Sequence, residues 1–311
     1  MSTFKVPILL LVFNRPEQTA LVFKKICDLK PAKLYIAADG ARENQNGELE
    51  KCLKSRYILN KIDWDCKIYT LFRETNLGCR LAVSSALDWF FDLEEEGIVL
   101  EDDCLPHADF FTFCEIMLEK YRYDTRIGHI SGSNFQFGKH RGGDSSYYYS
   151  RLTHVWGWAS WRRVWKGYDV DMKSFPTFKS SQKLGSISGY SEFYEYWLSN
   201  FESVYMKLVN TWDIQLSYHN LINNSLSIMP NVNLISNIGF TDDATHTKHK
   251  NHPFANIPLM ALKEIKHPKF ILQDLAADIY TLQNELGILR EMKKPLPSRL
   301  WKNIKKIMRH K

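Results

Sequence analysis

Gly97-Ile98-Val99-Leu100-Glu101-Asp102-Asp103-Cys104-Leu105-Pro106 decides how this chain is read. A short apolar run that suits a buried strand ends directly in three adjacent carboxylates. Three like charges side by side repel unless a cation or solvent lies between them. A solvated acidic turn satisfies that condition, and so does a hard divalent ion with oxygen ligands. The position at a strand end favours the ion.

Upstream, short apolar runs alternate with amphipathic stretches. Val6–Phe13 predicts a buried strand, and Pro16–Leu29 predicts a helix with Pro in its first turn and apolar residues at Leu21, Val22, Ile26 and Leu29. Strand Lys33–Ala38, a polar helix over Glu43–Lys61, strand Lys67–Phe72 and a helix over Arg80–Leu93 follow. Beyond the triplet come helix Asp109–Tyr121 and strand Ile127–Ser131. This spacing predicts right-handed parallel crossovers, hence an α/β fold with an open, twisted, mostly parallel sheet flanked by helices. Ligands of such sheets lie outside the carboxyl ends of the strands. The residues there are Asn14-Arg15, Asp39-Gly40, Arg73 to Asn76, and Glu101-Asp102-Asp103. An edge that mixes cations with carboxylates suits a metal-bound phosphate ester.

Downstream, aromatics crowd between Gly138 and Lys183. Trp158, Trp161 and Trp165 have the i, i+3, i+7 spacing of a packed helical face, whereas Trp156 and Trp158 on either side of Gly157 suit stacking on a sugar. Helices are expected over Ser191–Leu208 and Trp212–Asn223, and a strand over Ser227–Ile235. A polar loop over Gly239–Asn251 carries His246 and His249, with His252 just beyond. A helix over Lys266–Glu291 is followed by Pro295 and Pro297, which mark a boundary before a basic tail. The organisation expected is an α/β ligand-binding half over 1–135, the second half of the same domain over 136–265, and a helical appendage over 266–311.

With 311 residues, 44% hydrophobic and 14% aromatic, the chain can bury a large core, which excludes disordered and fibrous classes. Its longest apolar run, Val6–Phe13, is far short of the roughly 20 residues of a bilayer span. It also lacks the flanks of a signal peptide, so a cytoplasmic location is expected. Six cysteines without a C-x-x-C pair argue against a zinc ribbon or redox dithiol. Of a net charge of +6, the segment from Lys293 to Lys311 carries eight cations and no acid, leaving a body of −2 that does not suit a nucleic-acid binder. No G-x-G-x-x-G follows the first strand, which disfavours a Rossmann dehydrogenase. A two-metal nuclease or phosphatase would need more His and Asp ligands spread over several strand ends.

Ile98 to Phe111, with its acidic triplet followed by Asp109-Phe110-Phe111 opening a helix, resembles the metal-binding strand end of N-acetylglucosaminyltransferase I and its bacterial relatives. That resemblance implies an inverting, metal-dependent GT-A glycosyltransferase using nucleotide-diphosphate sugars, and it extends over roughly residues 6 to 250. The last carboxylate of the family's triplet reaches the metal, which maps to Asp103, with Glu101 and Asp102 on the donor. Pro7 to Arg15 is similar to the family's first strand, whose closing Arg lies at the nucleotide, and Asp39 stands where an Asp bonds the uracil. Asn76-Leu77-Gly78-Cys79-Arg80 resembles a loop of bacterial sugar transferases, and Trp156-Gly157-Trp158 the Gly-Trp segment on the acceptor side. Trp212-Asp213 resembles the Trp-Asp-Asp that carries the catalytic base. Ile214 replaces the second Asp, so Asp213 is the carboxylate left for that role. The stretch from Gly239 to His246 is similar to a loop over the bound donor, where many such enzymes place a metal-ligating His.

The resemblance therefore implies Asp213 as catalytic base and Arg15, Asp39, Asn76, Arg80, Glu101, Asp102 and Trp158 on the nucleotide sugar. It implies Asp103 and His246 on Mn2+ or Mg2+. Plainer roles compete: Arg15 as a solvated helix start, Arg73 and Arg80 as partners of Glu74 or Asp88, Asp242 and Asp243 as turn residues, and His246 as part of a polar loop. The reaction expected is transfer, with inversion, from a nucleotide-diphosphate sugar, UDP by the resemblance, to a hydroxyl of a glycan or lipid-linked acceptor. A non-catalytic carbohydrate-binding or scaffold protein of the same fold is the alternative. In the tail, Leu300, Trp301, Ile304, Ile307 and Met308 share a helical face ringed by cations, which suits peripheral attachment to an anionic membrane on its inner face. A frayed, solvated terminus suits it equally.

Overall fold

The computed structural model describes residues 3–185, 191–240 and 253–286. Strands β1 (Ile8–Val12), β2 (Lys33–Ala38), β3 (Lys67–Phe72) and β4 (Glu96–Glu101) run parallel in the order β3-β2-β1-β4. Parallel neighbours cannot be joined by a tight hairpin, so helices cross between them and cover both faces. These are α1 (Pro16–Leu29), α2 (Glu48–Arg56), which continues into a 3-10 turn over Tyr57–Lys61, and α3 (Gly78–Leu93). Side chains of a strand alternate between faces. Ile8, Leu10 and Val12 of β1 accordingly pack with Val22, Phe23 and Ile26 of α1, while Leu9 and Leu11 pack with Leu87, Phe90 and Phe91 of α3.

The chain continues through β5 (Cys104–Pro106), α4 (Ala108–Tyr121), β6 (Ile127–Ser131), β7 (Tyr147–Ser150), β8 (Trp158–Trp161) and the one-turn α5 (Arg162–Trp165). Then come α6 (Phe175–Ser180), α7 (Ser191–Tyr205), α8 (Asp213–Ile222), β9 (Leu226–Pro230), β10 (Ile235–Asn237) and α9 (Leu275–Leu286). The sheet extends from β4 as β4-β8-β6-β9-β7. Four of its pairings are parallel and three antiparallel. An open, mostly parallel α/β sheet flanked by helices matches the fold class expected from the sequence.

Three expectations need correction. Trp158 and Trp161 lie on a strand rather than a helical face. Trp158 packs toward Trp165 and Trp212, whereas Ala159 and Trp161 pack on the opposite side with α4. Because β8 is covered on both faces it has no polar alternation, and the tryptophan spacing imitates a helix. The strand expected over Ser227–Ile235 divides into β9 and β10. Between them, Asn231 Nδ2 donates to the carbonyls of Arg141 and Ser145, and Asn233 Nδ2 donates to that of Ile235. The helix expected from Lys266 begins at Leu275. The chain before it runs irregularly beside edge strand β7, with Ser146 N–H donating to the Lys266 carbonyl and Asp274 N–H to that of Tyr149, so that edge is partly covered. The basic tail lies outside the described residues. Among those described, no helix is long and apolar enough to cross a membrane.

A two-stranded ribbon completes the frame. β10 pairs antiparallel with β5, Asn237 opposite Cys104, and the Ile238 N–H donates to the Asp103 carbonyl at 2.8 Å. This carries Gly239 and Phe240 to the end of β4.

Candidate active site

The carboxyl ends of β1 to β4 open on one cavity of about 350 Å3. Asn14 and Arg15, Asp39, Arg73 and Asn76, and the three acids Glu101, Asp102 and Asp103 all line it. The four charged clusters read at the strand ends therefore share one wall. Leu11, Ala37, Leu71, Ala82 and Val83 give the cavity an apolar portion, and Trp156 and Phe240 contribute aromatic surface.

Within the triplet, the Phe13 N–H donates to Asp102 Oδ2 at 2.9 Å. Arg15 Nη1 donates to Asp102 Oδ1 at 3.3 Å and also to Asp103 Oδ2. Burial opposes the charge of Arg15, yet Asp103, Asp102 and Glu101 hold its pKa above the usual arginine value. Burial, and then the neighbouring Asp103, push Asp102 up to about 6 against the pull of Arg15. Glu101 is raised well above the ordinary glutamate range by burial and by the charges of Asp103, Asp102 and Asp213. Gly239 closes the other side of Asp103: a Cβ at that position would lie 2.0 Å from Oδ2.

Asp39 is more heavily engaged than a base-recognising carboxylate needs to be. Its Oδ1 accepts from the N–H groups of Gly40 and Leu77, and its Oδ2 from Gly78 N–H and Asn76 Nδ2. These bonds fix the loop that starts α3. The site also contains residues that sequence reasoning passed over. Arg42 is on the wall, clamped by Glu48, whose carboxylate also accepts from Asn14 Nδ2 at 2.7 Å. Asn210, Asn237 and Cys79 line the cavity as well. The available signals were adjacency: Arg42 follows the β2 end, Cys79 opens α3, and Asn210 precedes Trp212-Asp213. Burial raises the Cys79 thiol to about 12, which makes it a wall group rather than a nucleophile.

Several expected contacts are placed elsewhere. Arg80 does not line the cavity; its Nη2 donates to Asp171 Oδ1 at 2.6 Å and to the Val170 carbonyl at 2.9 Å. Trp158 is 1% exposed and stacked between Trp212 and His129, so it cannot serve as a sugar platform. Gly157 explains why Trp156 lines the cavity instead. At φ +59 it turns the chain so that Trp156 reaches the cavity while Trp158 enters the sheet, and a Cβ there would lie 2.4 Å from Ile235 Cδ1. Asp213, at the start of α8, is bonded to Thr211 Oγ1 and does not line the cavity, although its charge contributes to the raised Glu101 and Cys79. His246 lies outside the described residues.

A divalent ion shared with substrate phosphates needs only one or two protein carboxylates. Asp103 and Glu101 are donors of that type. Among the described residues, no group of three His, Cys, Asp or Glu side chains is disposed to hold an ion unaided. The donor set fits Mn2+ or Mg2+ accompanied by a diphosphate and does not form a protein-built cage. The cation between Asp102 and Asp103 in this structure is Arg15.

No family model matches the sequence, and no curated protein matches it. Among solved structures, residues 1–349 of TarS from S. aureus align at 8% identity and a TM-score of 0.36 over 52% of this chain, which spans about half (48%) of that chain. An apo UDP-glucose pyrophosphorylase aligns at 9% identity and a TM-score of 0.36, over 74% of this chain and 92% of that one. Glucosyl-3-phosphoglycerate synthase from Mycobacterium tuberculosis, in complex with Mn2+, UDP and phosphoglyceric acid, aligns at 11% identity and a TM-score of 0.27, over 52% and 57% of the two chains. At these scores the likenesses are distant, and the functional reading stands on the residues of the site.

Proposed function

We propose that this protein is a GT-A glycosyltransferase, related to the N-acetylglucosaminyltransferase I group, that moves a sugar from a nucleotide-diphosphate sugar to a hydroxyl of a glycan or lipid-linked acceptor. The observation that carries this reading is the convergence of Arg15, Arg73 and the Glu101–Asp103 triplet on one cavity at the carboxyl ends of four parallel strands. That edge is where α/β sheets bind nucleotides.

The base, UDP by the resemblance, lies against the apolar portion around Ala37, Leu71 and Val83, beside the loop that Asp39 and Asn76 hold. Arg15 and Arg73 offset charge on the diphosphate, and Asp102 fixes Arg15 and the β1 end. Asp103, with Glu101 beside it, would hold Mn2+ or Mg2+, with His246 added by the resemblance, and the ion would supply further charge neutralisation of the leaving group. Trp156 offers an aromatic face to the sugar or acceptor. Asp213 takes the proton of the acceptor hydroxyl, whose oxygen bonds to the anomeric carbon as the bond from that carbon to the phosphate oxygen breaks on the opposite side, releasing the nucleoside diphosphate and inverting the centre.

A second reading, a carbohydrate-binding protein without catalysis, is favoured by Ile214 after Asp213 and by the set-back position of Asp213. One experiment separates the two: a panel of nucleotide sugars incubated with Mn2+ or Mg2+, then with EDTA, with release of nucleoside diphosphate measured. Transferase predicts release from one or a few donors that EDTA abolishes. Glycan binding without release from any donor supports the second reading.

A further inference from the structure

We infer that Arg15 is an internal counter-cation that competes with a divalent metal for Asp103, so that metal binds well only when a nucleoside diphosphate draws Arg15 away. This deepens the transferase reading and rests on it. One guanidinium nitrogen, Arg15 Nη1, spans both carboxylates, donating to Asp102 Oδ1 at 3.3 Å and to Asp103 Oδ2. The other approach to Asp103 is restricted. Gly239 packs against Oδ2, and Oδ1 faces the buried Cys104 thiol at 3.5 Å. The oxygen of Asp103 that faces a positive partner is thus already occupied.

A guanidinium and a divalent ion compete for that oxygen, because like charges a few ångströms apart in a partly dry site repel strongly. Arg15 has only 19% side-chain exposure, so it has no ready alternative position in water. It sits, however, on the cavity wall. An entering diphosphate offers it a second anion of matching fork geometry, and the same phosphate oxygens complete the shell of the metal. Metal and nucleotide are therefore coupled through a residue that touches both, and the coupling is reciprocal. Arg15 acts on the metal as a positioning residue.

The test is calorimetric titration of Mn2+ into the full chain, with and without UDP, for wild type, Arg15→Gln and Arg15→Lys. Wild type should bind Mn2+ weakly alone and about tenfold or more tightly with UDP, a factor usual for coupled sites. Arg15→Gln should bind Mn2+ alone about tenfold more tightly than wild type and lose most of the dependence on UDP. Adding Asp103→Asn should erase that gain. Arg15→Lys keeps the charge and should remain as weak as wild type; a gain equal to that of Arg15→Gln would assign the effect to lost packing and overturn the inference. So would Mn2+ binding by Arg15→Gln no tighter than by wild type in a protein that still binds UDP, a result that leaves the transferase reading standing. A gain in Arg15→Gln supports the inference even where no donor is turned over, which separates its failure from that of the proposed function.

Discussion

Asp213 tests the chemistry at the scale of one residue. It opens α8 directly after the buried Trp212, accepts from Thr211 Oγ1, and contributes to raising Glu101 and Cys79. If it removes the acceptor proton, Asp213→Asn should bind UDP with unchanged affinity and lose about 10²–10⁴ in kcat, the usual contribution of a general base. Near-wild-type turnover would remove it from the mechanism. The local sequence revealed the carboxylates and the Trp-Gly-Trp turn but not which tryptophan faces the cavity. That choice depends on Gly157 adopting positive φ against Ile235, a contact distant in sequence.

The strands of the first half were legible because each apolar run ends in charge, and β1, β2 and β4 are sandwiched between helices whose own apolar spacing is clear. The second half was less legible for a physical reason. β8 inserts antiparallel between β4 and β6, and α9 is attached through buried polar groups that leave little trace in a hydrophobic pattern. Asp278 of α9 accepts from Ser150 Oγ, from Arg151 N–H at 3.0 Å and from Gln273 Nε2 at 2.7 Å. Burial nevertheless raises its pKa to about 6. The folded chain therefore holds this proton more tightly than the unfolded one, and ionisation costs native stability as pH rises from about 4 to about 6. Asp278→Asn lacks that cost. Relative to wild type, its stability should improve across this interval by up to about 3 kcal/mol, the equivalent of a shift of about two pKa units. Chemical denaturation at pH 4, 5, 6 and 7 measures this, and a difference between the two proteins that does not change with pH would contradict it.

Across the whole molecule, one sheet gathers at a single edge the ends of four parallel strands and, through the β5–β10 ribbon, the loop that carries Gly239 and Phe240. Substrate positioning on this scale is a property of topology: residues 15, 39, 73 and 101–103 are scattered in sequence and meet only because their strands run in one direction. The most direct measurement is an X-ray structure of the protein crystallised with UDP and Mn2+. Nucleotide density is expected in the cavity, its base against Ala37 and Leu71 and its diphosphate between Arg15 and Asp103. Density elsewhere on the surface, or an empty cavity at saturating ligand with Arg15 still clasping Asp103, would contradict it.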